Sequence, residues 1–167
     1  MRLIPKRLIF VPKFRQTMDW IIRKGSENDI NDIAQFQVEM ASESEGTILD
    51  LPTVIEGVTL AVADEAKGTY MLACTPDGKV AGSLFLTREW SDWRAKWYWW
   101  IQSVYVRPEY RRQGAYRALY KYVKNLAIEN SISCLRLYVD RENVRAQKTY
   151  QAQGMSESHY LLYEEDI

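Results

Sequence analysis

The sequence predicts an α/β fold in which helices cover a mixed β-sheet. Three observations lead there. Strand-like and helix-like segments alternate in the order strand, helix, helix, strands, helix, strand, helix, strand. One strand candidate, Lys96 to Val106, is highly aromatic and alternates only weakly, as a strand covered on both faces would. The 167 residues, 47% of them apolar and without an internal repeat, suffice for one buried core but hardly for two.

Taken in order, MRLIPKRLIFVPKFRQT (residues 1–17) is basic, with Arg2, Lys6, Arg7, Lys13 and Arg15 and no acid. Two prolines interrupt it, and it lacks the apolar core and cleavage site of a secretory signal. It reads as an upstream extension of the reading frame, with a functional basic arm as the alternative, and residues 18–167 form a single domain. Trp20 to Lys24 is the first strand candidate. Ser26-Glu-Asn-Asp29 then starts a helix carrying Ile30, Ile33, Ala34 and Gln37. The polar stretch ASESEGTILDLP reads as an acidic loop, after which Thr53 caps a second helix with Val54, Ile55, Val58, Ala61 and Val62 on its apolar face.

Thr69 to Cys74 and Lys79 to Leu86 form a hairpin around Thr75-Pro-Asp-Gly78, where Pro fixes φ and Gly tolerates a positive one. The aromatic strand follows. A helix from about Gly114 to Asn130 places Ala115, Leu119, Tyr122 and Leu126 on one stripe. Cys134 to Val139 is the next strand, Asn143 to Gln153 a shorter helix closed by Gly154, and Met155 to Tyr163 a final strand or pair.

Composition removes several function classes. The 22 basic and 22 acidic residues cancel, so the total charge offers no general affinity for nucleic acid. The longest apolar runs are far short of the roughly 20 residues of a membrane span. Cys74, Cys134 and a single His159 make no recognisable zinc site. Both cysteines read as buried free thiols in a reducing cytoplasm.

The chemistry concentrates in VYVRPEYRRQGAYRALY, residues 104–120. Gly114 stands where a strand passes into a helix, so unpaired N–H groups and the positive helix end favour an anion. Arg111 and Arg112 add cationic donors and Gln113 an amide; a solvated turn is the plain alternative. There is no Gly-Lys-Ser or Gly-Lys-Thr and no GxGxxG, so neither a Walker loop nor a dinucleotide fold is indicated. Downstream, Asn143, Ala146 and Tyr150 fall on one helix face, with the amide and the phenol roughly 10 Å apart.

Together the two segments resemble the GNAT superfamily of N-acetyltransferases. Its signature is Arg/Gln-x-x-Gly-x-Gly/Ala after the central strand, with Asn and, seven residues later, Tyr in the next helix. The matching residues are Arg111, Gly114, Asn143 and Tyr150, and the element order agrees over about residues 18–163. The resemblance implies a mostly antiparallel central sheet with a splay between two parallel strands, flanked by helices. It implies acetyl-CoA as acyl donor, paired with the backbone of Val104, Tyr105 and Val106. The pyrophosphate would rest on the backbone from Arg112 through Gln113, Gly114, Ala115 and Tyr116 to Arg117, and Asn143 would lie near the pantetheine.

Tyr116 departs from the signature's small residue. Its side chain is expected to point away from the N–H groups, and its replacement by Gly to preserve or improve cofactor affinity. The resemblance makes Tyr150 the general acid to the leaving thiolate, against a buried core tyrosine as the bland reading. Tyr138 occupies the place where some members carry a glutamate base. Glu43, Glu45, Glu89 and Asp92 are substitutes, each also readable as a solvated carboxylate. Trp90, Trp93 or Trp99 would line an acceptor pocket. The expected activity is N-acetyl transfer to a primary amine of a small molecule or protein, without metal, nucleic acid or membrane. A non-catalytic acyl-CoA-binding module is the alternative. The acceptor and the oligomeric state, a homodimer included, stay open.

Overall fold

A computed structural model describes residues 18–167; the basic stretch 1–17 lies outside them. One five-stranded sheet runs through the molecule in the order β1 (Ile21–Lys24), β2 (Thr69–Cys74), β3 (Val80–Ser91), β4 (Lys96–Val106), β5 (Cys134–Arg136). The first three pairings are antiparallel and β4–β5 is parallel. Helices α1 (Ile30–Glu45) and α2 (Leu51–Ala63) cover one face, and α3 (Ala115–Glu129) the other. Helix α4 (Val144–Ala152) follows β5.

The two cores follow from strand alternation. Tyr70, Leu72 and Cys74 of β2 join Ile33, Phe36 and Val58 beneath α1 and α2. Met71 and Ala73 point the other way, to Leu119 and Val123 of α3. The hairpin at Thr75–Gly78 forms as expected, with the Gly78 N–H donating to the Thr75 carbonyl at 2.9 Å.

Several elements differ from the sequence reading. Helix α1 continues through Ala41-Ser-Glu-Ser-Glu45, so Glu43 and Glu45 are helical rather than in a loop; helix propensity and burial of Ala41 outweigh the polar composition. Asp50, not Thr53, caps α2: its carboxylate accepts from the Thr53 N–H at 3.1 Å and from the Thr53 hydroxyl at 2.6 Å. The buried stripe of α3 is Ala115, Leu119, Tyr120, Val123 and Ala127, which leaves Tyr122 exposed. Strand β5 stops at Arg136, Met155 to Tyr163 forms no strand, and Cys134 is exposed whereas Cys74 is buried.

Strand β4 contains a bulge that periodicity alone does not reveal. Ser83 pairs with Tyr105 and Phe85 with Gln102, so Ser103 and Val104 together oppose Leu84, and Ser103 takes a left-handed φ of 50°. The extra residue reverses the parity of the strand. Tyr105 therefore packs with Phe36 beneath α1, while Val104 and Val106 turn towards α3. Gly82, opposite Val106, is required there: a Cβ would lie 2.5 Å from the Tyr105 carbonyl oxygen.

Candidate active site

Parallel pairing between β4 and β5 comprises Tyr98–Cys134, Trp99–Leu135 and Trp100–Arg136, and then ends. From Ile101 to Val106 strand β4 has no partner on that side among the described residues. The bulge falls within this unpartnered stretch. Backbone groups of a strand whose neighbour has diverged remain available to an extended ligand.

The loop beyond β4 reaches α3 through a 3₁₀ turn at Pro108–Tyr110. Arg112 (φ 63°) and Gly114 (φ 93°) both adopt left-handed backbone, and Gly114 is the N-cap of α3. Only glycine holds such a φ cheaply, and its missing side chain leaves the helix entrance open: the nearest atom to a Cβ there would be Trp20 Nε1 at 3.9 Å. The first N–H groups of α3 have no carbonyl one turn earlier to bond. Trp20, which the sequence reading did not single out, fixes the loop by donating from Nε1 to the Gln113 carbonyl at 3.0 Å. Tyr110 packs edge-on against the same indole.

Not every expected donor faces this entrance. Arg111 bonds the Val106 carbonyl through Nε at 2.7 Å and Glu43 through its terminal nitrogen at 2.7 Å, and its guanidinium lies 5.3 Å over the Tyr105 ring. It braces β4 against α1, contrary to its expected use as a free cationic donor. The Gln113 amide is likewise taken, by the Glu109 carbonyl at 2.6 Å. Arg112 and Arg117 are exposed and have no ion pair among the described residues.

The fold brings the two sequence segments together through aromatic rings. Tyr116, in the first turn of α3, meets Tyr150 of α4 edge-on at 5.8 Å between centroids and lies 6.1 Å from Tyr120. Its ring turns into the α3 core, away from the helix entrance, and its hydroxyl is buried without a partner. Burial raises the pKa of both phenols, and the neighbouring Tyr150 and Tyr120 raise that of Tyr116 further. Asn143 caps α4, its side-chain oxygen accepting from the Ala146 N–H at 3.0 Å.

The candidate carboxylates divide into two sets. Glu43 accepts from the Tyr105 hydroxyl at 3.1 Å as well as from Arg111. Burial, then the carboxylates of Glu39 and Glu43, push the Tyr105 phenol upward. Glu89 accepts from Trp100 Nε1 at 2.5 Å and from Arg136 at 3.0 Å. Trp90 and Trp97 pack edge-on at the exposed end of the β3–β4 hairpin, and Trp93 is 91% exposed. Trp99 packs on the α3 side and so cannot share a pocket with Trp100, on the opposite face. Among the described residues no cluster of His, Cys, Asp or Glu could hold a metal, and no helix is long and apolar enough to cross a membrane.

A mixed sheet that opens between its parallel strands beside a glycine-capped helix puts this protein in the class of acyltransferase folds. More particularly, the chain belongs to the acetyltransferase (GNAT) family, whose model matches residues 31–155. A possible acetyltransferase from Clostridium difficile 630 is 41% identical; the alignment covers 89% of this chain and 97% of that one, with a TM-score of 0.83. A predicted acetyltransferase from Clostridium acetobutylicum, solved with acetyl-CoA, is 14% identical over 87% of this chain and 96% of that one, with a TM-score of 0.70, and shares the fold. Thialysine N-epsilon-acetyltransferase of Bos taurus is 37% identical over 65 residues, which is 39% of this chain and 38% of that relative. The match thus spans well under half of that relative's length.

Proposed function

We propose that the protein transfers an acetyl group from acetyl-CoA to a primary amine of a small molecule or protein. The observation that carries this reading is the opening of the sheet beyond Trp100 and Arg136 beside the glycine-capped start of α3, with Tyr150 of α4 held against the first turn of that helix by the Tyr116 ring. Family membership supports the acyl donor.

The residues present suit such a donor. The left-handed Arg112 and Gly114 expose successive N–H groups to a pyrophosphate, backed by the helix dipole and by the exposed Arg112 and Arg117. The backbone of Val104, Tyr105 and Val106, where β5 has diverged, is the stretch open to the pantetheine amides, with the Val106 carbonyl already held by Arg111 Nε. The Asn143 oxygen is committed to its cap, which leaves the amide NH2 to face the ligand.

The bound donor supplies a thioester. An amine nitrogen adds to its carbonyl carbon, the C–S bond breaks, and the sulfur requires a proton. Tyr150 holds that proton at its phenolic oxygen. Because burial raises its pKa, it remains protonated at neutral and moderately alkaline pH. Backbone N–H groups near Val104 or Tyr105 polarise the carbonyl. Glu43 and Glu89 are already bonded to protein groups, so neither is assigned as a dedicated base, and the amine loses its proton to water. The free thiols of Cys74 and Cys134 suit a reducing cytoplasm.

The test pairs binding with turnover. Acetyl-CoA titrated calorimetrically into the wild type and into Tyr150→Phe should bind both with similar affinity. Thiol release with a responsive amine should fall about 10²–10⁴-fold in the variant, the usual worth of general acid–base catalysis. No binding to the wild type refutes the donor assignment. Equal turnover by the two proteins refutes the role of Tyr150.

A further inference from the structure

Helix α4 has little of its own to fix where its phenol points. None of its nine residues is buried. Its hydrogen bonds are local: Asn143 caps the helix at Ala146, Gln147 Nε2 donates to the Asp140 and Arg141 carbonyls at 3.0 and 2.9 Å, and the Met155 N–H reaches the Tyr150 carbonyl at 3.2 Å. Such bonds close the helix on itself. Its rotation against a neighbour is set by the side chains at the contact.

That contact is aromatic. Tyr116 meets Tyr150 with ring centroids 5.8 Å apart and planes at 67°, an edge-to-face arrangement that ring quadrupoles favour. Tyr120, 6% exposed, stands 6.1 Å from Tyr116 and backs its ring. The Tyr116 hydroxyl is buried without a partner, so it is the ring and not the oxygen that makes the contact. A glycine or alanine at 116, as in the family signature, could not reach Tyr150. The backbone of Tyr116 lies meanwhile in the first turn of α3, beside the entrance at Gly114.

We propose that Tyr116 is a positioning residue: its ring sets the orientation from which the Tyr150 phenol delivers its proton. The proposal rests on the reading of Tyr150 as the acid of the reaction. The proton passes from the Tyr150 oxygen to the leaving sulfur as the C–S bond breaks, and Tyr116 exchanges none. The side chain that departs from the signature thus links the donor's helix entrance, through one turn of α3, to the acid on α4.

A double-mutant cycle reads this link. With the best acceptor from a panel of polyamines, amino acids and peptides, Tyr116→Leu should lower kcat for thiol release about 10²-fold, as a misplacement of about 1 Å does. Acetyl-CoA affinity, measured calorimetrically, should stay near that of the wild type. In the Tyr150→Phe background the same substitution should lower kcat no further, because no phenol is left to place. Tyr116→Phe restores the ring and should restore kcat. Urea unfolding checks that each variant is folded, and Tyr116→Met, a more adaptable filler, takes the place of leucine if that chain does not fold.

An unchanged kcat in Tyr116→Leu, an equal fall in both backgrounds, or an equal loss in Tyr116→Phe overturns the proposal. Wild-type kcat in Tyr150→Phe alone removes instead the acid assignment on which it rests. A readout free of turnover uses protein with carbon-13-labelled tyrosine rings, loaded with CoA. A nuclear Overhauser contact between the Tyr116 and Tyr150 rings should persist there, and its absence refutes the positioning role.

Discussion

At the scale of residues, Tyr116 shows how a side chain that departs from a family signature is accommodated. The signature position suggested that a glycine there would be harmless to the cofactor site. The ring instead fills space between Tyr120 and Tyr150. Tyr116→Gly should therefore open a cavity and cost about 3 kcal/mol or more, measured by urea unfolding. Tyr116→Phe removes only a buried hydroxyl that has no partner and should leave stability unchanged or raise it by about 1 kcal/mol. For Tyr150, a pKa raised above the ordinary 10.0 by burial keeps the acid form present at higher pH. The rate with a given amine should rise as the amine deprotonates, and no loss of rate from Tyr150 ionisation should set in below pH 10. A pH–rate profile of thiol release checks this.

At the scale of elements, the ends of the helices are where sequence reasoning and structure parted. The start of α3 at Gly114 was legible because a glycine between a strand and an amphipathic run has few other uses. Gly114→Ala should weaken acetyl-CoA binding in a calorimetric titration, since φ 93° forces strain on any side chain. The start of α2 was misplaced because Asp50 and Thr53 are both good caps and only the geometry of the N–H groups decides between them. Asp50→Ala should cost about 1 kcal/mol in the same unfolding assay. The bulge in β4 left no signal in periodicity, for the strand is apolar on both faces and the loss of parity between Gln102 and Tyr105 is invisible in such a run. The bracing of Arg111 by Glu43 could not be read either: the two are 68 positions apart and meet, with Tyr105 beside them, only in the folded chain.

At the scale of the whole molecule, the order of elements and the mixed sheet were readable, whereas the extent of β5 and the course of residues 155–163 were not. Local pattern favours a strand there, but pairing depends on an edge that the pattern does not specify. An ion pair near the first strand gives the fold a defined acid limit. Arg23 makes two 2.7 Å bonds to the buried Asp29 carboxylate, which also accepts from the Ser26 N–H and hydroxyl. These bonds, the arginine first, lower its pKa from 3.8 to about 2. Its stabilisation is complete above pH 3.8 and disappears as the pH falls through about 2. Roughly 2 kcal/mol is at stake, because each tenfold change in proton affinity is worth about 1.4 kcal/mol. Thermal melts of the wild type and Asp29→Asn should differ most near neutral pH and converge towards pH 2.

The bond from Trp20 to the Gln113 carbonyl gives the molecule its own reporter. An indole N–H resonates apart from the backbone amides in a proton–nitrogen spectrum, and a chain with six tryptophans has few such signals to separate. The Trp20 signal depends on a carbonyl in the loop that leads into α3, one peptide before Gly114. Occupation of the helix entrance should move this resonance while leaving that of Trp93, exposed at the far hairpin, in place. Loading could then be followed residue by residue in an unmodified chain, without waiting for the amine to be found.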